Sequence, residues 1–269
     1  MKTLAIANQK GGVGKTTTAV NLAVYLADQY QKEILIVDLD SQGHVCTSLG
    51  LAKNAGLYGS LVEEIELNEL VVEARPNLDV LPNDHSNEAV KNFVMSKSFR
   101  EYMLHRWLQV NASHYDLVIL DCPPGTDVLH ILALVAADYL IIPSIMDHLS
   151  LDGIKGILTT VAGLNEFPGV DAPRVLGVLP TLYDRVSNET MRNLQNIITG
   201  MSGYSVLPPI PRDTKLREAS AYGQAIFEYA PSCAGSIGQL VEGTSATNSA
   251  GRVGGYLHLG EILGGALWQ

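Results

Sequence analysis

Residues 3–18 constrain this chain more than any other stretch. A short apolar run, Leu4 to Ala7, reads as a strand; a glycine-rich turn follows, and a helix opens near Lys15. Gly11, Gly12 and Gly14 are expected to take positive φ and to let the backbone come close to a ligand. A turn of this kind aims successive N–H groups into one concavity, and the helix N-terminus adds partial positive charge. Lys15 supplies a full charge, and the Thr16 hydroxyl is placed to reach a magnesium ion. The stretch reads as a phosphate cradle. Its second half fits the pattern G-x-x-x-x-G-K-[ST], but the first glycine position holds Gln9. A second lysine, Lys10, stands where the loop begins. One loop can hardly use both lysines on its own phosphates, so Lys10 is expected to reach a nucleotide held by a second copy of the chain. The plain alternative, a glycine-rich turn with solvated lysines, is weakened by the strand–loop–helix context.

The 269 residues are 46% hydrophobic, enough for one large α/β domain with its own core. The formal net charge of −10 argues against a broadly basic nucleic-acid surface and leaves room for a local basic patch. Cys46, Cys122 and Cys233 lie far apart without metal-ligand spacing and read as buried free thiols in a reducing cytoplasm. The N-terminus does not read as a signal peptide, because Gln9 and Lys10 interrupt it. No run approaches the ~18 apolar residues of a membrane span, and the longest, Ile131 to Pro143, is split by Asp138.

Along the chain, Ala19, Leu22, Ala23 and Leu26 give the first helix, Lys15 to Tyr30, a face for packing on a sheet. Ile34 to Val37 is apolar without alternation, which suits a parallel strand buried on both faces. It ends in Asp38 and Asp40, two carboxylates on the same side of a strand end, where ligands of open α/β sheets gather. Both can approach the phosphates, or both can cap the next helix. Leu61, Ile65 and Leu70 suggest a helix, Arg75 to Asn77 a turn, and Leu78 to Pro82 a short strand. Residues 86–111 read as helical and amphipathic, with Phe93, Phe99, Met103, Trp107 and Leu108 as core. Leu117 to Asp121 is a strand ending in a carboxylate suited to holding magnesium through water, and Pro123-Pro124-Gly125 after it reads as a switch element. Strands at Tyr139–Pro143 and Val175–Pro180 alternate with helices over 127–136, 151–165 and 187–200. The whole predicts an α/β fold: a mostly parallel, doubly wound sheet flanked by helices. Three prolines at 208, 209 and 211 then fix a loop, Asp213 can cap a short helix, and Arg212, Lys215 and Arg217 make either a DNA-phosphate patch or a solvated basic turn.

From residue 1 to about 242 these features together resemble the ParA/Soj family of partition ATPases, in the wider P-loop NTPase group that contains MinD and nitrogenase iron protein. Residues 10–17 match the family's deviant Walker A loop, with Lys10 as its signature lysine. Asp38 to Gln42 is similar to its A′ motif, which usually has proline where Ser41 stands, and Asp121 to Pro124 resembles its Walker B segment, usually with alanine where Cys122 stands. Ile210-Pro211-Arg212 and Arg217-Glu218-Ala219 resemble a late motif near the adenine and the DNA-binding surface. Residues 243–269 depart from the pattern. The family usually ends in a charged amphipathic helix, whereas this tail is glycine-rich and apolar, with Arg252 and no lysine, unsuited to an electrostatic membrane anchor. The expected organisation is one ATPase domain over 1–242 and an atypical tail.

The resemblance implies ATP and magnesium as ligands. Lys10, Gly11, Gly12, Val13, Gly14, Lys15, Thr16 and Thr17, with Pro211 and Arg212, would bind the nucleotide. Thr16, Asp38 and Asp121 would serve the metal, and Lys10, Lys15 and Asp40 the hydrolysis, Asp40 by orienting water. Lys215 and Arg217 would bind DNA without sequence preference once two ATP-loaded chains pair, placing the protein on the nucleoid. A ParB-like or cargo adaptor would stimulate slow turnover, and the cargo would be a plasmid, a chromosome origin or a protein organelle such as a carboxysome. A MinD-like membrane ATPase and a metabolic P-loop enzyme, such as a dethiobiotin-synthetase-like ligase, are the rivals.

Overall fold

The computed structural model describes residues 1–147, 150–166, 169–184, 187–200, 203–241 and 247–268. The chain begins with β1 (Lys2–Ile6), the phosphate-cradle loop and α1 (Lys15–Tyr30). Gly14 is the left-handed N-cap of α1 (φ 87°), and Gln31, also left-handed, ends it. β2 (Ile34–Asp38) leads to α2 (His44–Leu49). The helix expected around Leu61, Ile65 and Leu70 is two short pieces, α3 (Gly56–Leu61) and α4 (Leu67–Leu70), because Glu64 between them adopts a left-handed backbone (φ 57°). A strand not foreseen, β3 (Val72–Arg75), forms a hairpin with β4 (Leu78–Leu81) through the expected turn, where Asn77 takes φ 62°.

Residues 86–111 are likewise not one helix. α5 (Asn87–Met95) stops, a 3₁₀ turn covers Arg100–Tyr102, and α6 (Met103–Asn111) follows. The break sits at Phe99, left-handed and 80% exposed, so Phe99 is not core; Val90, Val94, Leu104 and Leu108 fill that place. Beyond it run β5 (Leu117–Asp121), α7 (Val128–Ala136), β6 (Tyr139–Ile145), α8 (Ser150–Leu164), β7 (Arg174–Thr181) and α9 (Asn188–Gly200). α10 (Thr214–Ala221) starts at Asp213, whose carboxylate accepts the Lys215 amide at 2.9 Å, the expected cap. Two single-turn helices, α11 (Ile226–Tyr229) and α12 (Ala234–Ile237), precede α13 (Gly255–Trp268).

Among the described residues seven strands lie in the order β3-β4-β2-β5-β1-β6-β7, and of their pairings only β3–β4 is antiparallel. Inserting β5 between β1 and β2 puts Asp121 in register with both Ile6 and Asp38 at the C-terminal edge. Each central strand is buried on both faces, which is why its sequence shows no alternation. Leu4, Ile6, Ile34, Ile36, Leu117 and Ile119 pack toward α1, α2, α10 and α13, while Ala5, Leu35, Val37, Val118 and Leu120 pack toward α5 to α8. Each fully buried Leu or Ile contributes about 1.5–3 kcal/mol to that sandwich.

Residue 242, at the expected end of the ATPase domain, and residues 243–246 and 269 of the tail lie outside the described residues. The helix α13 packs on α1, and Tyr256, Leu259, Leu263 and Leu267 join the core. Cys46 and Cys122 are buried and unpaired; Cys233, at the surface-side start of α12, is only half-buried, so the expectation of three buried thiols holds for two. Among the described residues no helix is long and apolar enough to cross a membrane.

Candidate nucleotide site

The loop between β1 and α1 is stitched to its surroundings by long-range bonds. Asn8 donates its side-chain amide to the Pro143 carbonyl at the end of β6 (2.7 Å) and accepts the Lys10 amide (3.0 Å). The Thr181 hydroxyl at the end of β7 donates to the Val13 carbonyl (2.8 Å), and the Gly125 amide of the Pro-Pro-Gly segment donates to the Gln9 carbonyl (2.8 Å). The loop is therefore held from three strand ends. Gly12 (φ 71°) and Gly14 take the left-handed backbone expected of them, and Gly11 does not. The need for glycine at position 11 is spatial: a Cβ at Gly11 or Gly12 would meet no protein atom within 4 Å and would stand in the open cleft, where a ligand would lie. The cleft is about 710 Å³, with the loop residues Gly11, Gly12, Gly14, Lys15, Thr16 and Thr17 along one side. That is the size of a small-molecule site.

Lys15 is 7% exposed, and its ammonium donates to the Lys10 carbonyl at 3.1 Å. Burial pushes it below the ordinary lysine range, and the charges of Asp121 and Asp40 pull it back. The Thr16 hydroxyl donates to Asp121 Oδ2 at 2.6 Å. Asp121 Oδ1 is buried and has no hydrogen-bond partner. Burial pushes the Asp121 carboxyl up to about 7, against the pull of the Thr16 hydroxyl and Lys15. Asp38, its neighbour in register, is also held well above the usual carboxylate range, first by burial and then by the charge of Asp121.

Two buried carboxylates side by side, one with an orphan oxygen, fit a nearby divalent cation, which would satisfy that oxygen through water and favour both charges. No group of three or more His, Cys, Asp and Glu side chains converges as a metal cage among the described residues. That donor set suits magnesium held by a hydroxyl, phosphates and waters. Both Asp38 oxygens accept backbone amides, Asp40 N at 3.0 Å and Val45 N at 3.2 Å, so this residue braces the turn into α2 as well as neighbouring Asp121. Asp40 lies on the cleft, with one oxygen accepting the Gln42 amide at 3.0 Å.

Two expected nucleotide ligands, Pro211 and Arg212, do not line the cleft, and Lys10, expected to act on a second chain's nucleotide, is turned away from the cleft of its own chain. The Lys10 ammonium is ion-paired with Asp147, just past the end of β6, and within one chain it does not line the cleft. In the late loop Ile210 and Asp213 face the cleft; Pro211 is buried beside Tyr183, and the exposed Arg212 donates its amide to the Tyr183 carbonyl. The two candidate DNA ligands separate. Lys215 is paired with Glu218 at 2.7 Å and lies over the Tyr229 ring, whereas Arg217 is exposed at the mouth of the cleft. Sequence reading missed Asn8, Thr181, Asp147 and Tyr256. Thr181 carries a signal, its place at the end of a strand, and Asn8 accepts an amide two residues on; Asp147 and Tyr256 gain a role only from residues far away in the chain.

A left-handed glycine turn into a helix, a buried lysine and a hydroxyl–carboxylate pair at the strand ends define a P-loop nucleotide-binding protein. A model of the AAA domain family matches residues 1–167. The chain is 36% identical over 245 residues to the chromosome-partitioning ATPase Soj of Thermus thermophilus, an alignment covering 88% of this chain and 91% of that one. The chain thus belongs to the ParA/Soj family of partition ATPases. Among solved structures, an ATP complex of McdA from Cyanothece shares the fold (TM-score 0.78, 24% identity, 86% of this chain and 90% of that one). So does cobyrinic acid a,c-diamide synthase from Mycobacterium smegmatis, solved with an ATP analogue and magnesium (TM-score 0.73, 32% identity, 83% and 91%).

Proposed function

We propose that this chain hydrolyses ATP slowly, pairs with a second copy in its ATP state, binds DNA without sequence preference as that dimer, and positions a cargo by cycles of binding and release. The observation that carries the reading is the Thr16–Asp121 pair, with its orphan carboxylate oxygen, beside a buried lysine at the mouth of a glycine loop. The amides from Gly11 to Thr17 and Lys15 hold the phosphates. Magnesium, held by Thr16 and through water by Asp121, would neutralise charge on the phosphate chain. Asp40 sits where it can orient water. Phosphoryl transfer depends on such positioning and charge stabilisation, so an isolated site turns over slowly until a partner completes it.

The second copy supplies that completion in part. Lys10 leaves Asp147 and reaches the nucleotide of the partner chain, which makes pairing depend on ATP. An adaptor of the ParB kind would then stimulate hydrolysis. Pairing also doubles Arg217 and its basic neighbours, which turns weak phosphate contacts into avidity on a chain of net charge −10. The relatives are named for chromosome and plasmid partition, which supports a cargo of that kind; a protein organelle as cargo and a place on the nucleoid belong to the same proposal. Likeness to the Mycobacterium smegmatis synthase, solved with an ATP analogue, favours a metabolic P-loop enzyme as second reading.

DNA co-sedimentation with ATP, ADP and no nucleotide at fixed salt tests the proposal. Binding with ATP alone, lost in high salt and in Arg217→Glu, is expected. Equal binding in all three states refutes the switch, and no binding in any state moves the reading to the metabolic enzyme.

A further inference from the structure

The C-terminal helix reaches the phosphate cradle. α13 lies along α1, and two glycines one turn apart let it come close. A Cβ on Gly260 would stand 2.1 Å from a Tyr25 ring carbon, and one on Gly264 would stand 2.0 Å from the Tyr30 ring. Trp268 packs on Tyr30 with ring centroids 5.3 Å apart, and the Lys2 ammonium bonds the Leu267 carbonyl. These contacts fix the helix along its axis, and so fix Tyr256 at its start.

Tyr256 is 1% exposed, and its edge forms part of the cleft wall. Its hydroxyl lies 3.2 Å from the Thr18 hydroxyl. Thr18 in turn donates its amide to the Gly14 carbonyl at 2.9 Å, the bond that closes the first turn of α1. That turn carries Lys15, Thr16 and Thr17. A threonine hydroxyl in a helix that lacks another partner bonds back to the carbonyl four residues earlier and bends the helix. For Thr18 that carbonyl is Gly14, at the cradle itself. Tyr256 gives the Thr18 hydroxyl a different partner.

We propose that Tyr256 is a positioning residue for phosphate binding: through Thr18 its hydroxyl keeps the first turn of α1 straight beneath the nucleotide's phosphates. The inference rests on the nucleotide reading above. It makes the glycine-rich tail part of the nucleotide machinery, 238 positions along the chain from the residue it supports.

The test is calorimetric titration of the full chain with magnesium–ADP and with a magnesium-bound, non-hydrolysable ATP analogue, alongside thermal melts. Tyr256→Phe keeps the ring and removes the hydroxyl. It is expected to weaken both nucleotides alike by about fivefold, the size of one buried neutral hydrogen bond. Thr18→Val has no hydroxyl to bond back to Gly14, so it should keep affinity within about twofold of the parent, and the double variant should recover most of what Tyr256→Phe loses, because the two changes act through one contact. Trp268→Ala loosens the far end of α13; it should lower the melting temperature and leave nucleotide affinity within about twofold of the parent, since its contact is distant from the cleft. Parent-level affinity in Tyr256→Phe overturns the inference. So does equal loss in Trp268→Ala, which would mean that any loosening of α13 weakens the site. A parent chain that binds neither nucleotide refutes the nucleotide reading itself, a separate result.

Discussion

Gly260 sits inside a helix, where alanine is intrinsically the better residue by about 1 kcal/mol. Propensity alone therefore predicts that Gly260→Ala stabilises the chain. Packing predicts the opposite. The new Cβ would fall 2.1 Å, 2.4 Å and 2.8 Å from Cδ1, Cε1 and Cγ of Tyr25. Cγ is the root of the ring, so the ring cannot swing clear by its far end alone. It is also buried, against Phe227 at 5.4 Å between centroids. Overpacking of this kind costs about 3 kcal/mol, and the propensity gain of about 1 kcal/mol leaves a net loss of about 2 kcal/mol. For a chain of this size that loss lowers the melting temperature by roughly 4–8 °C. Gly163, in α8, is the control: a Cβ there meets nothing within 4 Å, so Gly163→Ala should be neutral or stabilising by up to about 1 kcal/mol. Circular-dichroism melts of both variants, in matched buffer without nucleotide, read the two signs. A Gly260→Ala chain as stable as its parent would refute the close approach of α13 to α1.

Asp121→Asn removes a buried carboxylate that burial disfavours as an anion; the nucleotide-free chain should melt higher, and the rise in melting temperature on adding magnesium–ATP should vanish. A retained magnesium-dependent rise contradicts the assigned role. Asp40→Ala should keep ATP binding, lose turnover and hold the ATP-dependent dimer in light scattering, an outcome that rapid turnover would exclude. Asp147→Asn frees Lys10 from a part-exposed ion pair worth at most about 1 kcal/mol, so the ATP-dependent dimer should form at up to about fivefold lower protein concentration. Weaker pairing in that variant would show that Asp147 aids the dimer instead of holding Lys10 back.

Local signals in the sequence determined a large part of this protein. The cradle from β1 into α1, the unbroken apolar strands, the carboxylates that end β2 and β5, the turn at Asn77 and the Asp213 cap all depend on residues within a few positions of each other. Backbone sterics and burial on two faces leave little choice there. Tertiary structure decided the rest. Setting β5 between β1 and β2 made Asp38 and Asp121 neighbours and turned two strand ends into one metal-suited pair. The sheet edge brought Asp147 to Lys10, and Phe99 became exposed because the path from α5 to α6 turned there. Ile210 and Asp213 took the cleft where Pro211 and Arg212 were expected, because the loop pairs its alternate residues with Tyr183. Lys215 found Glu218 one helical turn away, while Arg217 faced the cleft. The tail gave no local sign of a role, since its glycines matter only where Tyr25 and Tyr30 stand and Tyr256 only where Thr18 does. Periodicity reports which face of a segment is buried; which partner it meets depends on the order of the strands, and that order is set by the whole chain.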